Sequence, residues 1–255
     1  MEYAVVAVPA APVRRKNRHQ HEMVNQLLFG EKVQIIKAKG DLWVKVRSLH
    51  DGYEGWMTQT LLKEISQEES KINNDFVTTG MMNVIYFDDK KMNIPFGSSL
   101  PGFADNKGQA GELKYSYSGG FVKRTDVKPE ADYVKQLTAQ WLNAPYLWGG
   151  RTIFGVDCSG FVQVNYKMMS IDLPRDAWQQ AQAGKTIKKL KEAVCGDLAF
   201  FDDKDEIVHV GILLGPDQII HSSGRVKIDS IDKKGIINSD TGKRTHDLKS
   251  IKRYW

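Results

Sequence analysis

The chain has 255 residues, with 36 Lys and Arg against 31 Asp and Glu and a formal net charge of +5. Hydrophobic residues at 41% and charged residues at 26% exclude a disordered or collagen-like chain and leave room for two or three folded domains. No run approaches the ~20 apolar residues of a membrane span. Basic residues are spread along the chain rather than gathered on one aromatic-studded stripe, so no nucleic-acid partner is expected. The opening MEYAVVAVPAAPVRRK places its basic residues after the apolar stretch, opposite to a secretion signal, and a cytoplasmic location is the expectation.

In chain order, Val33–Ile36 and Leu42–Val46 read as strands separated by Lys39-Gly40-Asp41. Asp51-Gly52 marks a second tight turn before a last short strand at Gly55-Trp56-Met57. Short strands at this spacing predict a small barrel over 1–64. A fainter echo follows: Val84–Phe87, Leu113–Tyr117, and then Gly120-Phe121-Val122, which mirrors Gly55-Trp56-Met57 after 65 residues. A second, divergent barrel over 65–126 is the expectation.

From Pro129 the texture changes. Ala131, Val134, Leu137 and Trp141 have helical spacing, and Asn143-Ala144-Pro145 ends that helix. A second helix is expected from Cys158 to about Met169, and a short third one from Pro174 to Gly184. Strand-like runs then follow at Asp197–Phe201, Ile207–Leu214, Gln218–His221 and Val226–Ile231. Helices followed by strands predict an α+β domain with an antiparallel sheet over 127–255.

The two cysteines form neither a disulfide framework nor a zinc spacing, so no metal or cofactor is expected. Cys195, before a Gly-Asp turn, reads as a packing residue. Cys158, flanked by Asp157, Ser159 and Gly160, opens a helix, where the helix dipole and free backbone N–H groups lower a thiol pKa and can hold an oxyanion. Asp157 opposes that depression, so an imidazolium is needed nearby. Ser159 and Gly160 are small enough for a substrate backbone to approach. His209 and His221 are polar positions in otherwise apolar strands, and a Cys–His pair with a polar orienter fits them. His19, His21, His50 and His246 lie in polar segments and are expected in solvent.

The words PYLWGGRTIFGVDCSGFVQ, LPRDAWQQAQAG, GDLAFF, VHVGILLG and IIHSSGRVKI occur in that order over roughly 110 residues. Together they resemble the NlpC-type cell-wall cysteine peptidases, a papain-like family. The upstream HEMVNQLLFGEKVQIIKAKGDLWVKVRSLHDGYEGWM looks like the bacterial SH3-like barrel fused to one subgroup of these enzymes. That subgroup cleaves γ-D-glutamyl–diamino acid bonds in murein peptides with a free N-terminal L-alanine.

The resemblance implies Cys158 as nucleophile, His209 as general base and acid, His221 as orienter and Tyr146 as an oxyanion donor. It implies an ammonium-binding set of Glu22, Tyr53 and Asp176, with Asp157 and Ser159 also at the substrate. Asp176 can equally serve as a helix cap after Pro174. The implied partner is a free murein tripeptide or tetrapeptide, with no obligate protein partner. A non-catalytic wall-binding protein and an acyltransferase are the alternatives, and the intact Cys158, His209 and His221 argue against the first.

Overall fold

In the computed structural model, which describes residues 1–88 and 90–255, the run Tyr3–Val6 forms β1 and is buried on both faces. Alternation sends Ala4 and Val6 into one core with Leu27, Val33, Val46 and Met57. Val5, of opposite parity, enters a second core with Phe29, Ile65, Ile85, Ile94 and Tyr115. β2 (Ala10–Arg14), β3 (Met23–Leu28), β4 (Lys32–Lys39), β5 (Trp43–Ser48), β6 (Glu54–Thr58) and β7 (Leu62–Ile65) complete a seven-stranded sheet ordered β3-β2-β6-β5-β4-β1-β7. A Ser66–Glu69 capping box starts α1 (Gln67–Lys71). Then come β8 (Phe76–Thr78), β9 (Met82–Phe87), β10 (Lys90–Pro95), β11 (Lys107–Ala110), β12 (Leu113–Ser116) and β13 (Phe121–Lys123).

These later strands form a four-stranded sheet, β10-β9-β12-β11, and a two-stranded sheet of β8 and β13. The sequence echo is therefore not an echo of pairing. Trp56 sits between β2 and β5, whereas Phe121 to Lys123 pair with β8 in a separate ribbon. Both sets of strands and the segment Trp148–Ile153 make one compact unit, with Met1–Val127 as its main part. Within it, β14 (Arg151–Thr152) carries a fully buried arginine. Arg151 grips Glu31 with two parallel bonds, Nη1 to Oε2 at 2.8 Å and Nη2 to Oε1 at 3.0 Å. Nη1 also donates to the Gln26 carbonyl at 2.9 Å, and the Leu28 N–H donates to Glu31 at 3.0 Å. A dry ion pair is tolerable only with such satisfied partners.

The other unit comprises Lys128–Leu147 and Phe154–Trp255. It contains α2 (Ala131–Ala139), β15 (Gly155–Val156), α3 (Cys158–Met168) and α4 (Ala177–Gln180), followed by β16 (Lys185–Thr186) and β17 (Leu198–Asp203). β18 (Glu206–Leu213), β19 (Gln218–Ser223), β20 (Arg225–Asp232), β21 (Gly235–Ile237) and β22 (Arg244–Arg253) follow. The sheet runs β16-β22-β17-β18-β19-β20-β21, and β21 also pairs with β22. Six antiparallel strands thus close on themselves, so the expected antiparallel sheet is a barrel with β16 as an added edge strand. Phe201, Leu213, Ile219, Ile231 and Ile236 fill it.

Every residue of α3 is buried, which makes it the central helix of this unit, packed against β18 and β19. The helix expected from Pro174 to Gly184 is confined to α4, because the chain is still extended at Asp176. Among the described residues, no helix is long and apolar enough to cross a membrane.

Candidate active site

Asp157 ends an extended stretch and caps α3, its Oδ1 accepting from the Gly160 N–H at 2.7 Å, so Cys158 is the first helical residue. Arg175, 1% exposed, clamps that cap: Nη1 lies 3.0 Å from Asp157 Oδ1 and Nη2 lies 2.5 Å from Oδ2. Nη1 donates also to Ser159 Oγ at 2.8 Å. The side chains of Asp157 and Ser159 are thus committed to the turn that holds the cysteine. The Cys158 sulfur accepts from the backbone N–H groups of Val210 and Ser159. Val210 is available because the β18–β19 register covers Ile212↔Ile220 and Leu213↔Ile219 but stops short of it.

The expected depression of the Cys158 pKa does not occur. Burial, reinforced by the Asp157 carboxylate, pushes the thiol up to about 12. Removing the sulfur from water outweighs the two N–H donors and Arg175.

His209 and His221 are brought together inside the barrel, with His209 Nε2 2.8 Å from His221 Nδ1. Gly211 makes room for this. A Cβ built there would lie 2.8 Å from the His221 Cβ and 2.7 Å from Ile219 Cδ1, so any larger residue displaces the imidazole. Two residues missed by sequence reasoning complete the cluster. Asp229, in the alternating VKIDSID, lies on β20 with its Oδ2 3.0 Å from His221 Nε2. His246, expected in solvent, is half-buried and stacks on His209 with ring centroids 4.3 Å apart. His19 is exposed, as expected, whereas His21 and His50 are half-buried. The signal for Asp229 was its parity: it shares a face with Lys227 and Ile231, where a carboxylate needs a partner.

Burial, then the neighbouring His221 and His246, holds His209 well below the usual imidazole range. Burial likewise pushes His246 down to about 4. Burial by itself would raise the Asp229 pKa, but hydrogen bonds from His221 and Ser239 outweigh it and keep the carboxylate well below its usual range. Stability follows from the sign of the histidine shifts. An unfolded chain takes up protons at these imidazoles near pH 6.5 that the folded one refuses, so stability is full above pH 6.5 and declines as pH falls toward about 4. Thermal unfolding should therefore show a lower Tm at pH 4.5 than at pH 7, with a shallower slope in His246→Gln. Parallel slopes in the two proteins would contradict the burial of His246.

Tyr146 is 37% exposed, and its phenol is pushed above its usual range by burial, then by the nearby Cys158 sulfur and Asp157 carboxylate. It therefore stands in the electrostatic neighbourhood of the thiol. Asp176 caps α4, its N–H donating to Gln179 Oε1 at 3.3 Å. Glu22 and Tyr53 belong to the unit built around β1. Glu22 is exposed, pairs with Arg15 Nε at 2.6 Å and accepts from Trp148 Nε1 at 2.8 Å. The half-buried Tyr53 closes a turn, its N–H donating to Asp51 Oδ1 at 3.1 Å.

Residues 143–245 match the model of the NlpC/P60 family, and residues 13–62 match the bacterial dipeptidyl-peptidase SH3 domain. The chain is 33% identical over 215 residues to a γ-D-glutamyl-L-lysine dipeptidyl-peptidase of Bacillus subtilis, covering 77% of this chain and 71% of that one. It belongs to the NlpC/P60 family. A γ-D-glutamyl-L-lysine dipeptidyl-peptidase of Bacillus cereus is 29% identical, over 89% of this chain and 76% of its own. The fold is that of an NlpC/P60 family crystal structure from Bacillus cereus, with a TM-score of 0.82 at 23% identity and 99% coverage of both chains. This NlpC/P60 member is a cysteine peptidase. Cys158, Arg175, His209, His221 and Asp229 all lie inside the NlpC/P60 match, while Glu22 and Tyr53 lie inside the SH3 match.

Proposed function

We propose that this peptidase hydrolyses the γ-D-glutamyl–diamino acid amide of free murein tripeptides and tetrapeptides that carry an unblocked N-terminal L-alanine. The observation that supports it most is the buried hydrogen-bonded chain His209–His221–Asp229, in the same unit as Cys158, the first residue of α3, whose sulfur accepts from the N–H of Val210, the residue after His209. Similarity to two proteins named γ-D-glutamyl-L-lysine dipeptidyl-peptidase supplies the substrate class.

His209 Nε2 is engaged by His221, so Nδ1 is the atom that takes the thiol proton. His209 takes the thiol proton as the sulfur attacks. The sulfur forms a bond to the scissile carbonyl carbon, and the carbonyl oxygen becomes an oxyanion held by backbone N–H and the Tyr146 phenol. The His209 imidazolium returns its proton to the leaving amine as the C–N bond breaks, leaving a Cys158 thioester. Water, deprotonated by His209, then releases the γ-carboxylate and restores the thiol.

Asp176, on the unit that carries Cys158, is assigned to the substrate ammonium, which needs anionic acceptors to offset lost hydration. Asp157 and Ser159 serve the substrate through the main chain they hold, their side chains being engaged with Arg175. A cytoplasmic location suits an enzyme of free peptides.

The test compares L-Ala-γ-D-Glu-L-Lys with its N-acetylated form, with products identified by mass. Cleavage of the free peptide to L-Ala-D-Glu and lysine, with a fall of at least about 100-fold on acetylation, is expected from loss of a charged hydrogen-bonded contact. Equal rates on both peptides would remove the ammonium assignment. A transferred acyl group in place of free acid would make the protein an acyltransferase.

A further inference from the structure

We infer that Asp229 is a positioning residue for the reaction, setting which nitrogen of His209 carries its lone pair by acting through His221. This rests on the assignment of Cys158 and His209 proposed above. A neutral imidazole has one N–H and one lone pair, so a chain of two imidazoles hydrogen-bonded ring to ring has only two consistent arrangements. In one, both protons sit on Nε2; in the other, both sit on Nδ1. Only the first leaves Nδ1 of His209 able to accept the thiol proton.

An ionised carboxylate only accepts. With Asp229 Oδ2 3.0 Å from His221 Nε2, the proton of His221 must lie on that atom. His221 Nδ1 is then a lone pair, and at 2.8 Å it draws the His209 proton onto Nε2. Asp229 cannot reverse its role by turning. Its Oδ1 accepts from the Ser239 N–H at 2.9 Å and from the Ser239 hydroxyl at 2.7 Å, and a backbone N–H can never accept in return. Lys227, with Nζ 3.3 Å from Oδ2, adds a cation that favours the charged carboxylate. Asp229 and Lys227 are each less than a tenth exposed, so water does not supply a substitute acceptor.

The substitution Asp229→Asn separates charge and tautomer from shape. The amide oxygen is held on the Ser239 side by two donors, which turns the NH2 group toward His221. His221 must then accept at Nε2 and carry its proton on Nδ1, and His209 is driven to the Nδ1–H form that cannot take a proton from sulfur. Side-chain 15N NMR of histidine-labelled protein reads this directly, with signals assigned by His→Gln variants. Wild type should show Nε2–H at His209 and His221, and Asp229→Asn should show Nδ1–H at both. In parallel, kcat should fall by about 10–100-fold with KM little changed, in line with the loss of an outer partner that orients a functional histidine.

Ser239→Ala keeps the carboxylate and should retain the wild-type tautomers. A wild-type spectrum with Nδ1–H at His209 overturns the inference even if Asp229→Asn fails to fold. So does a folded Asp229→Asn protein with unchanged tautomers. Absence of peptide cleavage by wild type would instead remove the peptidase assignment, leaving the tautomer result to be read separately.

Discussion

Cys158→Ala is expected to lower turnover of the free murein tripeptide by about 10⁴–10⁶-fold, the range seen when a covalent nucleophile is removed and only binding and oxyanion stabilisation remain. The chain offers no substitute. Cys195 is distant in sequence, half-buried in another part of the unit, and donates to the Ala131 carbonyl. The loss should be chemical, not structural. Alanine strands the N–H donors of Val210 and Ser159, a cost of about 1–3 kcal/mol each at most, and removes a group whose own desolvation was unfavourable. Cys158→Ser restores the acceptor but offers a weaker nucleophile to the same neutral imidazole, so it should fold like wild type and remain nearly inactive. Acid quench of wild type during turnover should trap a thioester, detected as added mass on the peptide containing Cys158. Turnover retained in both variants would end the thioester mechanism.

Much of this site was legible in the amino-acid sequence because its strongest signals are local. A cysteine after aspartate at a helix start, and histidines interrupting apolar strands, are patterns of adjacent residues. Strand-like runs likewise placed β17 to β20 of the second unit. What escaped depends on contacts distant along the chain. β1, β2 and β3 were missed because Tyr3–Val6 is buried on two faces and lacks alternation, and because Pro9 and Pro12 interrupt the reading of the next strand. β21 and β22 were missed because the polar run from Arg244 to Arg253 is half-exposed and becomes a strand only by pairing with both β17 and β21. The same pairing draws His246 out of water and onto His209. The thiol pKa failed for a related reason: a helix start can be read from residues in order, but the burial that raises the thiol cannot.

Arg175→Met should cost about 3–5 kcal/mol, the loss expected when one partner of a buried ion pair is removed. Asp157 is 4% exposed and would keep its Gly160 hydrogen bond, but it would lose both guanidinium bonds with no water to replace them. In a unit of this size the Tm should fall by roughly 10–20 °C. Adding Asp157→Asn to Arg175→Met should recover part of that loss, because the uncompensated charge is then gone while an amide oxygen can still cap α3. The single variant should also lose activity beyond its unfolded fraction, since Asp157 and Ser159, which Arg175 holds together, are the residues on either side of Cys158. The double variant should remain impaired even where it is folded, because Ser159 has lost its donor and the turn is no longer clamped. Recovery of stability without recovery of kcat would separate the two duties of this arginine. An unchanged Tm in Arg175→Met would mean that Asp157 finds other donors, and that the cap of α3 holds the cysteine without it.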